Sequence, residues 1–292
     1  FVNQGGYKEI AYPPFDQLWQ RMKRYALASH NYDESEKLGD KKRLALMNWT
    51  SHAQLQVGAS ERIFEMLSRK FGIPRTRQEV WTNPISFNSP ATVPTYPGPL
   101  HGNYIFSMLA ELDIHRKAQD LLIRALSSEK WSNRNWELHL FGTGRDKESL
   151  AALIAEKKME NKIFLKGFTP DPQKALEETH VLLQCTRIDA MPVSVVEAMA
   201  LGRPCVVSAV GDMPLWIREA HNGFVCRDLT VEAIDDVLEK CWSKKEKWAE
   251  IGKNAFETFQ SKYPAPFEKA MVRKIIDLLS SSPAHVKDDP GQ

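Results

Sequence analysis

Residues 181–208, VLLQCTRIDAMPVSVVEAMALGRPCVVS, decide the fold of this chain. Val181–Gln184 is an apolar run of strand length bounded by polar loop residues. Val193–Leu201 follows, with Pro192 in front and Gly202 and Pro204 behind, the punctuation of a helix. Cys205–Ser208 is a second short apolar run. A strand, a helix and a strand, each apolar on more than one side, belong to a parallel sheet covered by helices.

The alternation extends both ways. Asn103–Leu109, Glu137–Phe141, Lys162–Leu165 and Gly223–Cys226 read as further strands, and Gln119–Ser128, Asp146–Lys158, Pro172–Thr179 and Pro214–Ala220 as the helices between them. The expected fold class is therefore α/β: a Rossmann-like, doubly wound parallel sheet of about six strands over residues 103–262, in the common order 3-2-1-4-5-6. Val231–Trp242, Lys247–Phe259 and Pro266–Leu279 add C-terminal helices, the last (263–279) standing outside the domain. The polar tail 280–292 is expected to be disordered.

Upstream lies Pro84–Gly102, PISFNSPATVPTYPGPLHG, whose five prolines forbid a helix or a central strand. It reads as an interdomain linker. Residues 1–83 read as helical: Asp16–Tyr25 places Leu18, Trp19, Met22 and Tyr25 on one side and Arg21, Lys23 and Arg24 on the other, and Leu44–Phe71 forms one or two helices ending at Gly72-Ile73-Pro74. The basic amphipathic stretch leaves peripheral membrane contact open beside a core-facing helix. The first residue is Phe rather than Met, as in a fragment or a processed chain.

Thirty-nine basic and 37 acidic residues in 292 give a formal charge of +2, which argues against nucleic-acid binding through bulk charge. No stretch approaches the roughly 20 apolar residues of a membrane span, and no signal peptide opens the chain. The four cysteines form no C-x-x-C pair, so they read as reduced thiols of a cytoplasmic protein and not as metal ligands. Walker, H-E-x-x-H and G-x-S-x-G motifs are missing, which leaves an NTPase, a zinc protease or an α/β-hydrolase without support.

In a doubly wound sheet the ligand sits at the carboxyl ends of the strands, where the order reverses. That selects the loops 110–118 and 185–192. The backbone N–H groups around Met191–Ser194 form an anion site at a helix start. Asp189 and Glu197 are separated by roughly 12 Å if the stretch is helical, too far for a metal pair or a shared-proton dyad but suited to two ends of a hydroxyl-rich ligand. Spacing alone allows equally that Asp189 is an N-cap and Glu197 a buried, paired carboxylate. Arg116 and Lys117 are candidates for phosphate contacts or members of a solvated charged loop. Gly142-Thr143-Gly144 permits close backbone approach to a ligand but is not the dinucleotide fingerprint.

The run Asp189–Cys226, DAMPVSVVEAMALGRPCVVSAVGDMPLWIREAHNGFVC, resembles the donor-binding half of the GT-B-fold retaining glycosyltransferases of family 4, with their E-x7-E motif. The likeness reaches back through ELHLFGTGRDKESL, KIFLKGF and Gln119-Asp120-Leu121-Leu122. The resemblance implies a nucleotide-sugar donor, no cofactor or metal, a glycan or other hydroxyl acceptor, and a place in polysaccharide or glycoconjugate synthesis. It implies that Glu197 accepts hydrogen bonds from the ribose, Asp189 holds the donor sugar, Lys117 neutralises the leaving diphosphate, and the backbone of Ala190, Met191, Pro192 and Val193 meets sugar or diphosphate. Gly142, Thr143, Gly144, Gly167, Phe168 and Thr169 would line the nucleotide region.

The chain departs from the pattern at four places. Ala110-Glu111 stands for Gly-Arg, with Arg116 as a substitute cation; Asp189 stands for Glu, Ala190 for Gly, and Asp212 for the second glycine of a later Gly-Gly pair. Glu111 favours the alternative of a non-catalytic sugar-nucleotide-binding or scaffold homologue; a sugar-nucleotide epimerase of the same fold is a further alternative. About 83 residues before the linker are too few for a complete N-terminal domain of this fold, so the front is expected to be the end of an acceptor domain.

Overall fold

The computed structural model describes residues 20, 25–29, 37–75, 77–264 and 266–280. Two parallel sheets are present among them. The smaller is ordered β1-β2-β3, with β1 Ala26–Ser29, β2 Leu55–Gly58 and β3 Gln78–Val80; helices α1 Asp40–His52 and α2 Glu61–Phe71 connect these strands. The larger has six strands in the order β6-β5-β4-β7-β8-β9: β4 Tyr104–Leu109, β5 Trp136–Phe141, β6 Ile163–Gly167, β7 Val181–Gln184, β8 Cys205–Ser208 and β9 Gly223–Cys226. In strand succession this is 3-2-1-4-5-6, the order expected.

The helices of the larger unit are α3 Ile114–Lys117, α4 Gln119–Leu126, α5 Glu129–Ser132, α6 Lys147–Glu156, α7 Pro172–Glu177, α8 Val193–Ala200, α9 Met213–Trp216, α10 Val231–Trp242, α11 Trp248–Lys262 and α12 Phe267–Ser280. Helices α4, α6 and α10 bury Leu122, Leu126, Leu150, Ile154, Ile234 and Leu238 against one sheet face. Helices α7, α8 and α11 bury Leu176, Val195, Met199, Phe256 and Phe259 against the other. With both faces covered, β7 and β8 need no polar alternation and are buried at every residue.

The all-helical reading of residues 1–83 is corrected. β2 interrupts the stretch 44–71, and β1 and β3 flank it. All four residues of β2, Leu-Gln-Val-Gly, are buried, so it shows neither the alternation of a half-exposed strand nor the length to stand apart from neighbouring helices. The stretch 16–24, Gln20 apart, and the tail 281–292 lie outside the described residues.

Segment 84–102 has no regular element but is held along its length. Ile85 N–H donates to the Tyr263 hydroxyl, Ser86 N–H to Glu197, and the Tyr96 hydroxyl to the carbonyl of His180 at 2.6 Å. The Thr95 carbonyl accepts from Arg203, which is fully buried and also caps the carbonyls of Leu176 and Glu177 at the end of α7. Burial pulls the Arg203 guanidinium down to about 10, and its place beside the Tyr96 ring (5.4 Å) and these carbonyls keeps its N–H groups satisfied. At the far end, Lys274 of α12 reaches Glu79 at 2.8 Å and lies over the Trp81 ring, tying the last helix to the first unit. None of the described helices is long and apolar enough to cross a membrane.

The turn that follows α8 meets α11 backbone to backbone. A Cβ on Gly252 would fall 2.0 Å from the Gly202 carbonyl oxygen. Gly252→Ala therefore lowers stability by about 1–3 kcal/mol, although alanine is the better helix former, and urea unfolding should show the loss.

Candidate functional site

The larger sheet reverses order between β4 and β7, and a cleft of about 520 Å³ opens at the carboxyl ends of β4 and β5. Its wall includes Glu111, Gly142, Thr143, Gly144, Phe168, Thr169, Val193 and Glu197. Leu109, Ala110, Phe141, Pro172 and Ser194 complete the lining; Ala110 belongs to a loop that the strand order selects and Ser194 to the expected anion site, whereas Leu109, Phe141 and Pro172 are not among the expected contacts. The strand-end rule reaches Leu109 and Phe141, the last residues of β4 and β5, while the placement of Pro172 depends on helix packing.

Glycines 142 and 144 are required by the protein's own backbone. Gly142 has φ 136°, and a Cβ there would lie 1.9 Å from the Ala110 carbonyl; at Gly144 it would lie 2.4 Å from that of Leu112. The loops after β4 and β5 therefore run flush, with Leu112 N–H on the Thr143 carbonyl at 2.9 Å. Gly167 has φ 73° and turns the chain out of β6, its carbonyl accepting from Gly142 N–H. Gly167 itself is not on the cleft wall, but it delivers Phe168, 73% exposed at the lip.

Helix α8 is buried from Ser194 to Ala200, so Glu197 is carried into the interior with only 4% exposure. A buried carboxylate needs donors. Ser86 N–H supplies one at 2.9 Å to Oε1, while the same side chain faces the cleft. No spacing in the sequence announces a bond between residues 111 positions apart.

Loop 110–118 is knitted to loop 185–192. Asp113 caps α3, accepting from Arg116 N–H at 3.0 Å and from the Arg145 guanidinium at 3.1 Å; Asp146 accepts from Ile114 N–H at 2.7 Å. At the other end, the Arg116 carbonyl accepts from Arg187 N–H, Ile188 N–H and the Thr186 hydroxyl. Ala118 then takes φ 54°, an unusual conformation for a side chain with Cβ, and ends α3 immediately after Lys117. The result is a 2.6 Å ion pair between Lys117 and Asp189, both largely withdrawn from solvent.

Lys117, Asp189, Arg116, Ala190, Met191 and Pro192 are not on the cleft wall. Arg116 is 3.4 Å from Glu111, which is on the cleft wall. Asp189 does not cap α8, because Pro192 occupies the N-cap and no side chain bonds there. The side chains of Ala190 and Met191 are buried, the first in the apolar cluster of the smaller sheet and the second in that of the larger. Only their backbone is at issue for a ligand. Among the described residues no group of three His, Cys, Asp or Glu side chains is placed to hold a metal ion.

Burial works against the Asp113 charge, but the Arg116 N–H and Arg145 hold its carboxyl below the ordinary range. Its contribution to stability is complete above the unfolded pKa of about 3.9 and fades as pH falls through the lower folded value. Asp113→Ala should cost about 1 kcal/mol and raise amide exchange across 114–118 at neutral pH; the variant should also lose that part of the acid dependence.

Residues 98–258, more than half of the chain, match the family described as glycosyl transferases group 1. The poly(ribitol-phosphate) alpha-N-acetylglucosaminyltransferase of Staphylococcus aureus (strain COL) is 27% identical over 166 residues, covering 56% of this chain and 33% of that protein. The lipopolysaccharide 1,6-galactosyltransferase of Escherichia coli (strain K12) is 25% identical over 224 residues, covering 72% and 59%. The chain thus spans a third of the first relative, and it spans 24% of the poly(glycerol-phosphate) alpha-glucosyltransferase of Bacillus subtilis (strain 168). Among solved structures, an S. aureus TarM mutant in complex with fondaparinux, alpha-GlcNAc-glycerol and UDP superposes with a TM-score of 0.71 at 20% identity, over 88% of this chain and 51% of that one. Anabaena Alr3699/HepE in complex with UDP superposes with 0.75 at 16% identity, over 89% and 74%. A six-stranded sheet of this order, a cleft at its switch point and a family match running from the end of the proline-rich segment into α11 agree, and the chain belongs to the glycosyl transferases group 1 family.

Proposed function

We propose that this chain carries the donor site of a glycosyltransferase that moves a sugar from a uridine nucleotide sugar to a hydroxyl of a glycan-type acceptor, with retention at the anomeric carbon and without a cofactor. The observation that carries the reading is the cleft at the β4–β7 switch point, with buried Glu197 on its wall, and the Lys117–Asp189 pair, whose lysine is in the same loop after β4 that supplies Ala110 and Glu111 to that wall. The uridine nucleotide is inferred from the UDP bound in the TarM and HepE structures. A glycan-type acceptor is inferred from the teichoic-acid and lipopolysaccharide relatives, and a cytoplasmic site of action from the reduced cysteines.

In this reading the base lies over Gly142–Gly144 and against exposed Phe168, and the ribose hydroxyls donate to Glu197, whose carboxylate Ser86 N–H holds in place. The diphosphate takes Lys117 from Asp189, which leaves Asp189 to accept from hydroxyls of the donor sugar. As the bond between the anomeric carbon and the diphosphate breaks, Lys117 stabilises the charge that develops on the leaving oxygen, and the acceptor oxygen bonds to the same face while its proton passes to that leaving oxygen. A positioned cation is worth most where it meets charge that appears only in the transition state.

UDP-sugars should raise the melting temperature of the full chain where GDP- and ADP-sugars do not, by roughly 2.7 kcal/mol of added stability at a hundredfold excess over Kd. Glu197→Ala should remove that shift. Lys117→Ala should lower kcat by about 10²–10³. A folded chain stabilised by none of the three would overturn the reading.

Glu111 on the cleft wall is the specific feature that favours a binding protein without turnover, since a carboxylate there repels a diphosphate. Glu111→Arg should tighten UDP binding in either case. UDP binding by the wild-type chain with no transfer to any acceptor would favour the binding protein.

A further inference from the structure

One buried carboxylate joins the two sheets. Asp212, in the turn between β8 and α9, is 4% exposed. Its oxygens accept from Glu61 N–H at 2.8 Å and Arg62 N–H at 3.1 Å, the first two amides of α2 in the smaller unit. Ser60 caps the third, accepting from Ile63 N–H at 3.2 Å. The helix start is thus satisfied partly from its own unit and partly from the other. The Arg62 guanidinium returns to the Ala209 carbonyl at 3.2 Å, on the same turn as Asp212.

The other side of Asp212 bears on the donor loop. Its N–H donates to the Ala190 carbonyl at 2.8 Å. Gly211 is pressed so closely that a Cβ would lie 1.9 Å from that carbonyl and 2.6 Å from the Asp189 carbonyl. The methyl of Ala190 lies in the apolar cluster of the smaller unit. A continuous set of contacts therefore runs from the α2 amides through Asp212 and Ala190 to Asp189 and its partner Lys117. Burial raises the Asp212 carboxyl above its ordinary pKa, against the pull of the two amides, so the group is held there at a cost that those amides offset.

We propose that Asp212 is a positioning residue: its carboxylate sets the smaller unit in register with the Asp189–Met191 turn, and so fixes what that unit presents to the sugar held at Lys117 and Asp189. The part concerning the sugar rests on the function proposed above; the register does not. Where the resembled motif has glycine, this chain has a side chain that reaches across.

The test uses the full chain and three variants, Asp212→Gly, Asp212→Asn and Ser60→Ala. In Asp212→Gly, amide exchange at Glu61 and Arg62 should rise about tenfold or more, since two charge-assisted bonds are lost. Asp212→Asn keeps one acceptor oxygen and should fall between. UDP affinity should stay within about twofold of wild type in all three, because the carboxylate does not face the cleft. With a UDP-sugar donor, Asp212→Gly should lower kcat and leave the donor KM unchanged. Ser60→Ala should free the Ile63 amide and leave kcat alone, which separates loss of register from fraying of α2. Unchanged exchange at Glu61 and Arg62 in Asp212→Gly would overturn the proposal, and so would a fall in kcat of the same size in Ser60→Ala. A wild-type chain that binds no UDP-sugar bears on the proposed function, while the exchange measurement still decides whether Asp212 joins the units.

Discussion

Strands β4 and β7 lie side by side, pairing Phe106 with Val181 and Ser107 with Leu182, yet the chain leaves them toward opposite faces of the sheet. After β4 it turns to α4 and the cluster around Leu122 and Leu126; after β7 it turns to α8 and the cluster around Val195 and Met199. Two connections that part from neighbouring strands cannot fill the space between them. The cleft, the flush loops after β4 and β5, and the burial of Glu197 all follow from that divergence.

The charged groups of the loops after β4, β5 and β7 are arranged as pairs. Lys117 is held by Asp189 and Arg116 by Glu111, while Asp113 takes Arg145 and the start of α3. Such pairing keeps charges satisfied in a partly desolvated site without a bound anion. In the proposed reading a diphosphate would replace one set of ion pairs with another, so affinity would depend on differences between contacts of similar strength. Glu111 lines the cleft while its partner Arg116 does not.

The smaller sheet is joined to this site by backbone contacts as well as by side chains. Segment 84–102 brings Ser86 to Glu197, and the turn at Gly211 and Asp212 brings the start of α2 to Ala190. Prolines in the segment leave its N–H and C=O groups without regular partners, so the larger unit supplies them through Tyr263, Glu197 and Arg203. A stretch with the composition of a spacer thereby becomes part of the wall behind the ribose position in the proposed reading.

By itself the sequence determined the class of the larger unit; the common strand order expected for it is the one observed, and of the two loops that order selects, 110–118 borders the cleft at Ala110 and Glu111 while 185–192 does not. Short apolar runs between helical patterns have one packing solution, with both faces covered, and chain order then selects the switch point. It also named Gly142, Thr143, Gly144, Phe168, Thr169, Val193 and Glu197, all of which line the cleft. The strands of the smaller sheet escaped it because β1, Ala-Leu-Ala-Ser, and β2, Leu-Gln-Val-Gly, carry only one and two large apolar side chains and no continuous apolar run, unlike the equally short Val-Leu-Leu-Gln of β7. Only the tertiary structure decided which carboxylates face which cations, why glycine is needed at 142 and 144, and that Ser86 and Asp212 serve groups far away in the chain. Those contacts join residues 111 and 151 positions apart, and no local pattern encodes a hydrogen bond that exists only after two units have packed.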